Sequence, residues 1–369
     1  GGSSLGGSSC RAGLAVGLMQ VPTISLAAYH RALEAVEDDE DAIQAALSAL
    51  FAADGADDEP AAGLRELVAA VRSACEEVGF FIVVDHGIDP GLLERQRSEC
   101  SSFFARPPQS VVLGMVQGAA SRFAWLDFVP PVDEAAGKAH SAAWSLGPVE
   151  GRGSMPWQPD TGGLAGTWAS YYAAMERLAA ALMRLFALAL GLPAGAFATA
   201  LRGHRSSMRA LLYPEVADAD LEAGGGTVVR SPEHTDWGCL TVLLPDTAVG
   251  GLEVSGRDGT WSPVLPEAGG LVVNLGDLLP LWTRGRWVAT PHRVVARRDS
   301  RQRRLSVPYF GLVNRATVLA PLVRQRAACE GGSGGKDSEE PPEQCITAGE
   351  FFDRHETHAQ PRRTSLSAA

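Results

Sequence analysis

Cysteine is scarce: six in 369 residues, at positions 10, 75, 100, 239, 329 and 345. Neither the close pairs of a zinc ribbon nor a dense secreted framework is present, so these read as free thiols in a reducing compartment, and the cytoplasm is the expected location. Long hydrophobic runs are missing too. The most apolar helical stretch, residues 178–192, is broken by Arg184 and falls short of the roughly 20 residues that a bilayer span needs. Positive charge is in deficit, with 32 Lys and Arg against 43 Asp and Glu, a net charge of -11. That balance argues against nucleic acid and anionic membrane as partners. Acidic bunches at residues 37–41 and 54–59 read as solvated surface, and no internal repeat is visible.

What is present is ordinary globular material, 46% hydrophobic and 20% charged, long enough for a large core in one or two domains. Residues 1–20 are Gly/Ser-rich without an initiating Met. They read as a disordered or processed end, with an organelle-targeting remnant as an open alternative. A helix and strand region is expected over 21–130: a strand at 21–24, a helix at 64–79, the β-rich run Phe80-Phe81-Ile82-Val83-Val84, and a helix at 92–104. Residues 131–206 read as a helical buttress, dominated by an Ala/Leu-rich helix from Leu164 stopped by Gly191 and Pro193. Short β-branched segments then follow at close spacing over 207–320: 208–213, 240–244, 251–254, 271–274, 292–296 and 305–310. The fold class is α+β with a mainly β core, a sandwich or barrel. Residues 330–345 form an expected flexible loop, and 346–360 a C-terminal helix.

The segment Pro232-Glu233-His234-Thr235-Asp236-Trp237-Gly238 sets an imidazole and a carboxylate two residues apart. On a strand this spacing puts both on one face, with Thr235 pointing away. His292, in Thr290-Pro291-His292-Arg293-Val294, supplies a third ligand at the head of another strand. Two imidazoles and one carboxylate suit iron(II), and three protein ligands leave the other half of an octahedron for co-substrate and oxygen. A 2-oxo diacid such as 2-oxoglutarate chelates such a centre but needs its far carboxylate fixed. Arg304-Leu305-Ser306 offers a guanidinium and a hydroxyl on one strand face for that purpose. Alternation along 208–213 groups Arg209, Leu211 and Tyr213, making Tyr213 a third polar contact.

These motifs, His234-Thr235-Asp236-Trp237-Gly238-Cys239-Leu240-Thr241, then Asn274-Leu275-Gly276-Asp277, Pro291-His292-Arg293-Val294 and Arg304-Leu305-Ser306, closely resemble the isopenicillin N synthase-like branch of the iron(II)/2-oxoglutarate dioxygenases. Cys75-Glu76-Glu77-Val78-Gly79-Phe80-Phe81 with Asp85-His86-Gly87-Ile88 resembles the N-terminal domain of that branch, and Ile346-Thr347-Ala348-Gly349-Glu350 its C-terminal helix start. The likeness covers roughly residues 21–358. It implies a double-stranded β-helix (jelly roll) flanked by helices, with iron at the mouth of the barrel. It further implies iron on His234, Asp236 and His292, and 2-oxoglutarate on Arg304, Ser306 and Tyr213. Ascorbate is the expected reductant. Plant members often carry Asn where Leu211 stands, so one co-substrate contact is absent or replaced here. Trp237, after the Asp, either borders the pocket or fills the barrel.

Alone, a His-x-Asp pair is weak evidence; the distal His and the Arg-x-Ser, in order, give it weight. Arg304 read blandly is a surface salt bridge, worth little, and Tyr213 a core tyrosine. His86 reads as structural, and His204, His355 and His358 as surface residues. Cys239, an odd number of positions from Asp236, faces away from the metal. Phe123, Trp125, Phe128 and Trp237 are the aromatic candidates for the substrate pocket, while Arg122 reads as solvated. The expected reaction is oxidative decarboxylation of 2-oxoglutarate coupled to hydroxylation, desaturation or cyclisation of a small molecule by a monomeric enzyme. Alternatives are a same-fold oxidase that needs no 2-oxo acid, an ethylene-forming type, and a catalytically silent metal-binding protein.

Overall fold

The computed structural model describes residues 19–52, 59–105, 124–128, 142–146, 163–322 and 345–359, with backbone only at 124–128, 142–146 and 356–359. The N-terminal part runs β1 (Thr23–Ser25), α1 (Ala27–Ala32), α2 (Glu40–Ala52), α3 (Glu59–Glu77), β2 (Phe80–Val84) and α4 (Pro90–Phe104). Next come β3 (Ala124–Phe128), β4 (Ala142–Leu146), α5 (Leu164–Ala189) and α6 (Ala198–Leu201). The strand-rich part is β5 (Ser207–Tyr213), α7 (Asp218–Ala223), β6 (Val228–His234), β7 (Leu240–Leu244), β8 (Leu252–Ser255), β9 (Trp261–Pro263), β10 (Leu271–Leu275), α8 (Leu278–Trp282), β11 (His292–Ala296) and β12 (Arg304–Gly311). The short pair β13 (Val318–Leu319) and β14 (Ile346–Thr347) leads into α9 (Ala348–Ala359).

Local chemistry explains the N-terminal boundaries. Asp89 caps α4 by accepting from the Gly91 amide at 2.9 Å, with Pro90 in the first turn, where its missing N–H costs nothing. Gly79 closes α3 with φ +70° and a bond from its amide to Ala74 O at 2.8 Å. A Cβ there would meet Val288 O and Thr290 Oγ1 at 2.5 Å. The chain therefore turns tightly into β2 only with glycine at this position.

The strands form a large sheet, ordered β1-β2-β10-β7-β12-β5-β4-β3, and a smaller one, β6-β11-β8-β9. Side-chain alternation assigns two jobs to the large sheet. Phe81, Val83, Val242, Val273, Val307 and Tyr309 join the main core beneath α3 and α5. Phe80, Ile82 and Val272 point the other way and pack with Leu252, Val254 and Val294 of the smaller sheet. Because both faces are covered, β2 reads as an unbroken apolar run. Two facing sheets with helices outside form a double-stranded β-helix; the described strands do not close into a barrel. Among the described residues no helix is long and apolar enough to cross a membrane.

Arg184 has a role that the sequence did not show, and the readings of His355 and His204 need correction. Arg184, the break in the apolar helix, is buried; its Nη1 donates to Tyr29 OH at 2.8 Å, and it pairs with Glu40. Glu40 is exposed like the rest of its acidic bunch, and still supplies the partner for this arginine. His355 is no free surface residue, since its ring lies 4.1 Å from Phe351 and 5.5 Å from Trp237. His204 pairs with Glu176 at 3.1 Å.

Candidate active site

His234 and His292 are register partners across β6 and β11, with ring centroids 4.3 Å apart. Asp236 stands opposite them. Its Oδ1 is 3.9 Å from His234 Nε2 and its Oδ2 is 3.9 Å from His292 Nε2. One ligand atom from each residue lies within 4.8 Å of the others. The strand that was to carry both His234 and Asp236 ends at His234, and Asp236 sits in the loop beyond. A bulge in β6, where the pairing with β11 shifts between Ser231 and His234, re-aims the histidine. The loop is braced by Asp277 N–H on Asp236 O at 2.8 Å and Leu278 N–H on Gly238 O at 3.1 Å. Gly276 lies so close to Gly238 O and Asp236 O that a Cβ would collide with both.

Each of the three side chains has a second polar atom engaged by the protein. His234 Nδ1 donates to Pro232 O at 2.8 Å and His292 Nδ1 to Thr290 O at 3.2 Å. This fixes the tautomer with a lone pair on each Nε2. Burial pushes the His292 pKa below its ordinary value, outweighing the Asp236 charge that raises it, which favours the neutral, metal-binding form. Phe80 meets the His292 ring edge to face at 5.3 Å. Asp236 Oδ2 accepts from Thr241 Oγ1 at 2.5 Å and from Asn274 Nδ2 at 2.7 Å, while Oδ1 faces His234 Nε2. The side chain of His234 is 42% exposed against 8% for Asp236, so the cluster opens on the His234 side.

Arg304 is only 2% exposed, which rules out the surface-salt-bridge reading. Its Nη1 donates to Ser306 Oγ at 3.1 Å and its Nε to Gly250 O at 3.1 Å. Its register partner Tyr213 lies with the ring centre 5.5 Å from the guanidinium. Burial raises the Tyr213 pKa, against the lowering effect of Arg304, so the phenol stays a donor. Among the described residues no carboxylate pairs with Arg304. The nearby Asp246 is engaged by the amides of Ala248, Val249 and Leu305 at 2.9–3.0 Å. A buried guanidinium without a protein anion is costly and fits a ligand that brings a carboxylate. Leu211, the register partner of Ser306, adds no polar contact.

Trp237 packs on the main core and on His355 of α9. Phe123 and Arg122 lie outside the described residues; for Trp125 and Phe128 the backbone of β3 is described, but not the side chains. His86 is structural: its Nε2 donates to Gly269 O at 2.9 Å and its Nδ1 accepts from the Ile88 amide at 3.2 Å. Cys239 is buried, and burial raises its thiol pKa. A cavity of about 980 Å³ lies along α5 and α1, and none of the cluster residues lines it. The residues missed from sequence are Thr241, Asn274 and Phe80. The signal for the first two was a lone polar side chain in each of the apolar strands β7 and β10.

Comparisons with known proteins agree with this geometry. The family model of the 2OG-Fe(II) oxygenase superfamily matches residues 204–312. That described as non-haem dioxygenase in morphine synthesis N-terminal matches residues 21–110. Gibberellin 20 oxidase 2 of Oryza sativa subsp. indica is 32% identical over 72% of this chain and 67% of its own length. Validamycin A dioxygenase of Streptomyces hygroscopicus subsp. limoneus is 32% identical over 76% and 79%. The fold is similar to that of the dioxygenase for auxin oxidation in rice, with TM-score 0.64, 23% identity, and 92% and 96% coverage. These likenesses define a class, the non-haem dioxygenases that use iron(II) and 2-oxoglutarate to oxidise small organic substrates. The chain belongs to it, as a member of the isopenicillin N synthase-like superfamily.

Proposed function

We propose that His234, Asp236 and His292 hold the iron and that Arg304, Ser306 and Tyr213 seat the far carboxylate of 2-oxoglutarate. The observation that carries the reading is the convergence of one nitrogen from each imidazole and one carboxylate oxygen within 4.8 Å, with both Nδ1 atoms tied to backbone carbonyls. The bound metal and co-substrate would supply oxidative decarboxylation to succinate and carbon dioxide, coupled to oxidation of a C–H bond by dioxygen. The protein's part is to orient. Asn274 and Thr241 occupy Asp236 Oδ2, so this side chain would offer its other oxygen to the metal, and Arg304 would draw the far carboxylate by charge-assisted bonds.

Residues 207–320 act as the iron and co-substrate core, 21–130 as its N-terminal wall, 131–206 as the buttress and 346–360 as the C-terminal helix. Trp237 borders the substrate pocket together with Phe123, Trp125 and Phe128. Support comes from the strand order β5-β4-β3, in which β4 pairs with β5, the strand that carries Tyr213, and β3 with β4. Whether the product is hydroxylated, desaturated or cyclised follows from which C–H bond this wall presents. The enzyme works as a cytoplasmic monomer with ascorbate as reductant; light scattering well above the 38.8 kDa of one chain would contradict the monomer.

Asp236→Ala and His234→Ala are expected to fold, to lose iron binding, and to release no succinate. Full turnover in either variant would refute the ligand assignment. Oxygen uptake that requires 2-oxoglutarate separates this reading from a same-fold oxidase.

A further inference from the structure

Arg230, on β6, is neither a proposed iron ligand nor a proposed co-substrate anchor, yet it is only 4% exposed. Among the described residues its guanidinium grips backbone alone. Nη1 donates to Ser300 O at 3.3 Å, and Nη2 faces Arg301 O at 2.9 Å, Pro214 O at 2.9 Å and Gln302 O at 2.6 Å. Nε is buried with no acceptor, and among the described residues no carboxylate pairs with Arg230. Burial, then the positive charge of Arg304, pushes its pKa down to about 10. A buried cation held only by carbonyls is a costly way to fill space, so the identity of the caged carbonyls matters.

They flank the co-substrate anchors. Pro214 directly follows Tyr213 at the end of β5, and Gln302 stands two residues before Arg304 at the start of β12. Tyr213 and Arg304 are themselves register partners. One planar fork therefore ties the end of β5 and the turn before β12 to the strand that ends in His234. A lysine has the charge but not the fixed fork needed to span carbonyls from two segments.

We propose that Arg230 is a positioning residue for the co-substrate: by holding the carbonyls of Pro214, Ser300, Arg301 and Gln302 it sets Tyr213 and Arg304 at the separation that grips the far carboxylate of a 2-oxo diacid. The proposal rests on the assignment of Arg304 as the anchor.

The test is calorimetric titration of 2-oxoglutarate, and separately of pyruvate, into the anaerobic, manganese(II)-loaded full chain. Manganese affinity and thermal melting are measured alongside. Arg230→Gln should weaken 2-oxoglutarate binding about tenfold, within the range of outer-shell losses, with manganese affinity unchanged. Pyruvate has no far carboxylate, so its binding should not move. In an Arg304→Lys background the same change should cost less than about twofold, because the two residues act through one contact. Wild-type affinity in folded Arg230→Gln, equal losses for both acids, or a full loss repeated in the Arg304→Lys background would overturn the proposal. Should Arg230→Gln fail to fold, Arg230→Lys serves: a several-fold loss specific to 2-oxoglutarate supports the positioning role, and wild-type affinity overturns it. Wild-type affinity in Arg304→Gln would instead sink the anchor assignment, whatever Arg230 does.

Discussion

Asn274 and Thr241 show how neighbours orient a carboxylate. Both donate to Asp236 Oδ2, and removing a donor frees that oxygen to rotate or to compete for the metal. Asn274→Leu is expected to lower iron(II) affinity about tenfold with the fold intact; equilibrium titration of the apoprotein checks it, and unchanged affinity would contradict it. His86 sets a pH limit of a different kind. Burial holds its pKa below the ordinary 6.5, and its Nδ1 must stay unprotonated to accept from Ile88. The unfolded chain therefore binds this proton more readily than the folded one. The stabilisation is complete above the unfolded pKa of about 6.5 and is lost as pH falls below it. Between about pH 7.5 and about pH 5.5 the wild-type Tm should fall more steeply than that of His86→Gln. Parallel slopes would show that His86 does not titrate in that window.

At the scale of elements, α5 is pinned to α2 and α1 by Arg184, which reaches Glu40 and Tyr29. Breaking a fully buried pair costs more, but Glu40 is half exposed, so Arg184→Ala should destabilise by about 2 kcal/mol. Urea unfolding measures this, and iron affinity should not change because α5 covers the opposite face of the large sheet. Legibility in the sequence followed the strength of the periodic signal. β7 and β11 have the bounds that their apolar runs indicate, and α5 ends one residue before its expected Leu190. β6 was harder to see, because its second half, Ser231 to His234, is polar or proline and its register slips. β9 is three residues long, too short to carry a period. α2 lay hidden behind the acidic bunch: Glu40 and Asp41 occupy its first turn, where negative charge favours the helix dipole. Arg304 and Ser306 share one face of β12, as strand alternation indicates. His234 and Asp236 do not share a strand, because β6 stops at the histidine.

Over the whole molecule, the large sheet is a partition. One face belongs to the helices and holds most of the apolar core; the other, with the smaller sheet, surrounds the polar cluster. Stability and chemistry are thereby separated across one sheet. His292 and His234 come from the small sheet, Arg304 and Tyr213 from the large one, and Asp236 from the loop that joins β6 to β7. The site therefore exists only when the two sheets are packed face to face. The most direct measurement is a crystal structure of the anaerobic protein with manganese(II) and 2-oxoglutarate. One ion should be bound by His234 Nε2, Asp236 Oδ1 and His292 Nε2, with the far carboxylate of the 2-oxo acid on Arg304 and Ser306. An ion bound elsewhere, or those three side chains turned apart around an ion that touches only one of them, would contradict it.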